Sequence, residues 1–137
     1  MPQIHVSKSQ VTLGENSKLT VKPDERDAIR HFYRETLGCP MTKNSERADV
    51  FQIGPDFFLG VVYDDDALTV EERKKSLWLE LAADNLEETR QRILAAGVRE
   101  LEYFDKEHFY FQAPGGQVYR LIARGEDMSK YQGTRRS

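Results

Sequence analysis

A chain of 137 residues, 39% hydrophobic and 31% charged, has the size and balance of one soluble domain with a proper core. Its formal charge of −3, with basic residues scattered among acids, argues against a nucleic-acid or membrane-surface partner. No apolar run nears the roughly 20 residues of a membrane span, Cys39 has no cysteine to pair with, and MPQIHVSKSQ lacks the apolar centre of a signal peptide, so a cytoplasmic location is expected.

The first strand is KLTVKP (18–23), where Leu19 and Val21 alternate with Lys18, Thr20 and Lys22. His5 precedes it, in a segment with room for one extra strand. A helix follows, with Asp24 as expected N-cap and Asp27 three positions on. Ile29, Phe32, Tyr33 and Leu37 give its apolar stripe, Gly38 its C-cap and Pro40 its stop. Two short strands come next, ADVFQI (48–53) and FFLGVVY (57–63), around a Gly54-Pro55-Asp56 turn.

Residues 64–75, DDDALTVEERKK, form a connector expected to be solvated, in which Thr69 and Glu72 have the spacing to cap one helical turn. Its three consecutive aspartates make a poor metal site, because adjacent side chains on extended backbone point to opposite faces. The strand SLWLELA (76–82) sets Leu77, Leu79 and Leu81 against Trp78, Glu80 and Ala82. Asp84 with Glu87 is the expected capping box of a second helix, which carries Leu86, Ile93 and Leu94 and ends at Gly97. HFYFQA, a PGG turn and QVYRLIA close the pattern, and the tail RGEDMSKYQGTRRS is expected to fray.

The halves keep register. Asp24 and Asp84 are 60 residues apart, Gly38 and Gly97 are 59 apart, and Pro55 and Pro114 are 59 apart. This implies a duplicated β-α-β-β-β unit within one domain spanning 1–137, an α+β chain. Repeat one covers about 17–63, the connector 64–75, repeat two about 76–123 and the tail 124–137.

RDAIRHFYRETLGCPM resembles the first-helix signature of the vicinal oxygen chelate superfamily, which groups glyoxalase I, extradiol dioxygenases, and fosfomycin- and bleomycin-resistance proteins. DNLEETRQRILAAGV resembles its second helix and FYFQAPGGQVYRLI its last hairpin. The resemblance implies two β-α-β-β-β modules whose curled mixed sheet makes a cup, helices outside and ligand inside. It also implies a homodimer, with each cup made by one chain or shared by two. Metal-using members hold a cation at four places in the cup. Carried over, these fall near Asn16 (within about two residues, so Ser17 or Lys18), at or beside Gly60, at Trp78 and at Arg120. None offers the His or carboxylate group a transition metal needs, so no metal or other cofactor is expected.

Alternation puts Val118, Arg120 and Ile122 on one face of the last strand and Tyr119 and Leu121 on the other. A guanidinium pointing into a cup needs a partner. Glu80 is the internal candidate, and a carboxylate, phosphate or enolate-like ligand oxygen is the functional one. Trp78 offers a stacking platform, with Tyr110, Phe51 and Phe58 widening the aromatic wall. The expected ligand-binding residues are thus Arg120, Trp78, Glu80, Tyr110 and Lys18. His108, in phase with Tyr110 and Gln112, and Glu80 are weak catalytic candidates as general bases. His31 reads as surface or packing, and Cys39 as a structural residue at a helix end. The favoured function is metal-free binding of an aromatic or anionic small molecule. The alternative is a glyoxalase- or dioxygenase-like lyase or isomerase with a non-standard site.

Overall fold

In the computed structural model, residues 10–133 are described, which leaves His5 outside the described residues. The first half opens with β1 (Asn16–Val21) and a 3-10 turn at Pro23–Glu25, and continues into α1 (Arg26–His31). Asp24 lies inside the turn and caps nothing; Glu25 is the N-cap of α1, without a side-chain cap bond. The 3-10 turn led by Pro23 displaces the helix start by one residue. After His31 the helix widens into one π-turn over Phe32–Thr36, and the Leu37 N–H bonds to the Phe32 carbonyl five residues back, at 3.0 Å. Gly38, at φ 74°, reverses the chain as expected. Three strands follow: β2 (Met41–Asn44), β3 (Ala48–Gln52) and β4 (Phe58–Tyr63).

A connector helix, α2 (Val70–Arg73), carries the Thr69–Glu72 capping box in full. The connector is not a free linker. Ala67 is buried, Gln112 donates to the Val70 carbonyl at 2.7 Å, and Arg73 donates to the Thr20 carbonyl. The second half runs β5 (Leu79–Ala83), α3 (Leu86–Ala95), β6 (Arg99–Leu101), β7 (Phe109–Gln112) and β8 (Val118–Ala123). Asn85, not Asp84, caps α3, accepting from the Glu88 N–H at 3.1 Å while its own amide reaches the Glu88 carboxylate. The cap expected at Asp84 sits one residue later, and the Glu88 carboxylate meets the Asn85 side chain rather than its backbone N–H.

The halves make two four-stranded sheets of the same order, β1-β4-β3-β2 and β5-β8-β7-β6. In each, the first and last strands pair in parallel and the other pairs are antiparallel. Leu19, Val21, Phe51, Leu59 and Val61 turn one face of the first sheet onto α1; Phe109, Phe111, Tyr119 and Leu121 turn one face of the second onto the same core. Tyr33 joins them, stacking on Phe51 at 5.2 Å and meeting the Tyr119 hydroxyl at 2.8 Å. Burial drives the Tyr33 phenol well above its ordinary pKa, so this hydroxyl pair stays neutral.

Both sheets therefore give their backs to one shared core, and their other faces look outward, away from each other. The cup expected to be lined by both halves is not closed within one chain. Phe51 belongs to the core and is no part of an aromatic ligand wall. The tail does not fray over its described length: Met128 is buried, and a 3-10 turn at Ser129–Tyr131 lies over the outer face of the second sheet. Apolar and aromatic anchoring at Met128 and Tyr131 supplies the burial that the tail's polar composition conceals.

Candidate functional site

The outer face of the second sheet is set by strand register. Glu80 of β5 stands opposite Arg120 of β8, and Arg120 opposite Tyr110 of β7, so three side chains line up across three strands. The Arg120 Nε donates to Glu80 Oε2 at 2.8 Å and its Nη2 to the same oxygen, while Nη1 donates to the Tyr110 hydroxyl at 3.3 Å. Burial works against the Arg120 charge, but Tyr110 and Glu80 outweigh it and raise its pKa. The question posed by an arginine on a half-buried strand is answered first by Glu80. That carboxylate remains partly open to solvent, with a side chain 36% exposed against 20% for Arg120.

Trp78 lies just before β5 on this face. Its ring meets Tyr103 at 4.9 Å and Tyr110 at 5.8 Å, and Tyr103 meets Tyr110 at 5.0 Å. The indole N–H is fixed by the Lys74 carbonyl at 2.8 Å, so the ring orientation is set by the backbone. Phe104, almost fully exposed, extends the cluster through Tyr103 at 5.4 Å. Trp78, Glu80, Tyr110 and Arg120 are thus brought together. Lys18 and Phe58 are not: they occupy the outer face of the first sheet, where Lys18 stands opposite Gly60.

His108 joins the same network between two acids. Its Nδ1 faces Asp105 and its Nε2 faces Glu126, each at 2.7 Å. Burial alone would lower its pKa, but the bonds to Glu126 and Asp105 raise it. Asp105 in turn is lowered to about 2: burial opposes its charge, and the Glu107 N–H, His108 and Tyr110 overcome that. With both ring nitrogens donating to carboxylates, His108 has no lone pair with which to act as a general base. Its place is structural, linking the loop before β7 to the tail. Tyr131 completes the arrangement, its ring 4.4 Å from the Arg120 guanidinium carbon and its hydroxyl 3.4 Å from His108 Nδ1.

Asp105, Tyr103, Glu126 and Tyr131 lie in a loop and a tail, where no periodicity assigns a face. The only signal was the Asp105-x-x-His108 spacing, which sets an acid beside a histidine. Asp49 is different. It is fully buried on β3, bonded to Arg30 at 2.8 and 3.0 Å and to the Tyr63 hydroxyl at 2.6 Å. It ties α1 to the first sheet on the core side.

The residues do not fit a divalent metal. Register makes Lys18–Gly60 and Glu80–Arg120 the matching central pairs of the two sheets, so Glu80 rather than Trp78, and Lys18 rather than Asn16, takes the place beside the last-strand residue. Of the four, only Glu80 is a metal donor, and it faces a guanidinium. Among the described residues, no group of three or more His, Cys, Asp or Glu is placed to hold an ion. Cys39 is buried and its thiol pushed up to about 11 by burial, which makes it unreactive. A separate cleft of about 950 Å³ runs along the free edge of β5, between Leu37, Ile53, Phe57 and Leu81; it touches Glu80 but not Arg120, Trp78 or Tyr110.

A model of the glyoxalase-like domain family matches residues 18–122. None of the curated proteins matches the chain. Solved structures do. The trypanothione-dependent glyoxalase I of Leishmania major is 16% identical, with a TM-score of 0.67 over 89% of this chain and 94% of that one. The genomically encoded fosfomycin resistance protein of Listeria monocytogenes, in complex with Mn(II) and a dihydroxypropylphosphonic acid, gives 16% identity and 0.65 over 89% and 95%. An antibiotic-binding protein from a Streptomyces species gives 19% and 0.62 over 84% and 98%. At these identities the likeness is one of fold.

Proposed function

The chain belongs to the glyoxalase-like domain family, and from that premise we propose that it is a metal-independent binding protein for a flat aromatic or anionic small molecule. One observation carries this. The central pair of the second sheet is a guanidinium and a carboxylate under an aromatic wall of Trp78, Tyr103 and Tyr110, where a metal-using protein needs donor groups. An anionic ligand would exchange with Glu80 for the fork of Arg120, and its flat portion would stack on the Trp78 cluster. The antibiotic-binding neighbour supports a role in binding; the glyoxalase and fosfomycin-resistance neighbours support the enzyme alternative, a glyoxalase-like lyase or isomerase. Against that alternative, Glu80 is engaged by Arg120 and His108 by two carboxylates, so neither stands ready as a base.

The functional unit in this reading is a homodimer. The outer faces of the two sheets point apart within one chain, so a cup with walls from both repeats needs a second copy. The partner's first-sheet face would bring Lys18 to the Arg120 face.

Titration with aromatic carboxylates, followed by Trp78 fluorescence, tests the binding role. R120L should weaken binding by about tenfold or more, the loss expected for a charge-assisted contact. Unchanged affinity would leave Arg120 as the partner of Glu80 alone. Protein purified without chelator should carry no stoichiometric divalent metal, and one equivalent bound by protein groups would overturn metal independence.

A further inference from the structure

Arg120 already has an aromatic occupant. The ring of Tyr131 lies over its guanidinium at 4.4 Å and edge-on to His108 at 5.6 Å, with the phenol oxygen 3.4 Å from His108 Nδ1. The segment that delivers this ring is held at separate points. Glu126 bonds His108 at 2.7 Å and also accepts from the Ala123 N–H at 3.1 Å; Met128 is buried; Lys130 pairs with Glu107 at 2.7 Å. No cross-link holds it, and past the Arg124 N–H bond to the Ala83 carbonyl at 2.9 Å and the Arg124–Asp84 pair at its base, its contacts with the sheet and loop are made by side chains, several of them exposed. Such a segment opens more easily than the strands beneath it.

A planar ring on a guanidinium with a hydroxyl beside a histidine and an acid specifies a chemistry: a phenol, not a bare arene and not a bare anion. We propose that this face is a site for a phenol-bearing planar ligand, that Tyr131 is its built-in occupant, and that the ligand binds by displacing the strap of residues 124–133. The proposal rests on the ligand-binding role assigned to Arg120 above and names the ligand class for it. The ligand ring takes the place of Tyr131 over Arg120, its hydroxyl donates to Asp105 beside His108, and its far edge reaches the Trp78 cluster through Tyr110, which bonds both Asp105 at 2.9 Å and Arg120. Self-occupancy lowers the apparent affinity by the fraction of time the strap is open.

The test uses p-cresol, the side-chain fragment of tyrosine, with toluene as the comparator lacking the hydroxyl. Binding is measured by calorimetry and Trp78 fluorescence on the full chain and on Y131A. p-Cresol should bind Y131A about tenfold tighter than the wild type, the factor for a strap closed about nine-tenths of the time. Toluene should bind Y131A at least about tenfold more weakly than p-cresol, the factor for one lost hydrogen bond to a charged group. Should Y131A not fold, saturating p-cresol on the wild type must move the Tyr131 ring resonances to the values of an exposed tyrosine. Equal p-cresol affinity for both proteins, toluene matching p-cresol, or a Tyr131 ring unmoved by bound p-cresol would each overturn the proposal. If aromatic carboxylates bind in an Arg120-dependent way while p-cresol binds neither protein, this inference falls and the binding role stands. If no probe binds at all, both fall.

Discussion

At the scale of single residues, Arg120 and Glu80 meet because β8 and β5 are short and regular, and a period of two puts both side chains on the outer face. The same rule applied to ADVFQI puts Asp49 in phase with Phe51, but alternation does not say which face is the core, and the expectation that Phe51 faces the cup is wrong for both: each is fully buried in the core. What the sequence also does not carry is the partner of Asp49, since Arg30 comes from a helix whose start was misplaced. His108 shows the other limit: its phase was legible, but its two acids come from a loop and a tail. That geometry has a pH signature. The His108 pKa is raised on folding, so its contribution is full below the unfolded value near 6.5 and is lost as pH rises through the folded value. Asp105 is lowered to about 2, so its contribution is present above about 4 and is lost as pH falls toward about 2. In urea unfolding, wild type should exceed H108Q by about 2 kcal/mol between roughly pH 4 and 6.5, and the gap should narrow on either side. A gap constant from pH 5 to pH 9 would show that His108 is not held as a cation.

At the scale of elements, the strands and the PGG hairpin followed from period-two patterns bounded by glycine and proline. Gly115 shows why the turn is glycine: at φ 86° a Cβ there would sit 2.9 Å from the Ile29 side chain, so the hairpin of the second half packs directly on α1 of the first. The sequence reading names no strand over β2 or β6, and it sets both helix starts one residue early. β2 and β6 are short and mostly exposed, with no burial contrast to read. The π-turn adds one residue per turn without changing the apolar stripe, because Phe32, Tyr33 and Thr36 stay buried. The start of α3 was misjudged because Asp84 and Asn85 are both good caps and the pattern 84–87 matches the pattern 85–88. Geometry separates them. N85A should cost about 1 kcal/mol in chemical denaturation. D84A, which loses only an exposed pair with Arg124, should stay within about 0.5 kcal/mol of the wild type. Equal losses would mean that the α3 cap is shared.

At the scale of the molecule, the two sheets share one strand order, in keeping with the internal repeat read from the sequence, yet the mutual placement of its two copies was not legible. Alternation assigns each side chain to a face of its own sheet and is silent on which face meets the other sheet. That choice was made by Tyr33, Phe32 and Ile29, which are buried all round and so need a sheet on each side. A helix sandwiched this way forces Lys18 and Arg120 onto opposite outer surfaces. If ligand is held between repeats, the two walls must come from different chains. Mixing R120L with K18E then gives an unequal pair of cups. In the mixed dimer one cup has both lesions and the other has neither, so intact sites reappear from two defective parents, up to one per mixed dimer. Sites confined to one chain would stay defective in any mixture. Calorimetric stoichiometry for an aromatic carboxylate, measured after co-refolding equal amounts of the two variants, decides between these. Random assortment makes half the dimers mixed, so about a quarter of the wild-type capacity should return at wild-type affinity. A capacity no greater than the average of the two parents would show that each chain binds alone.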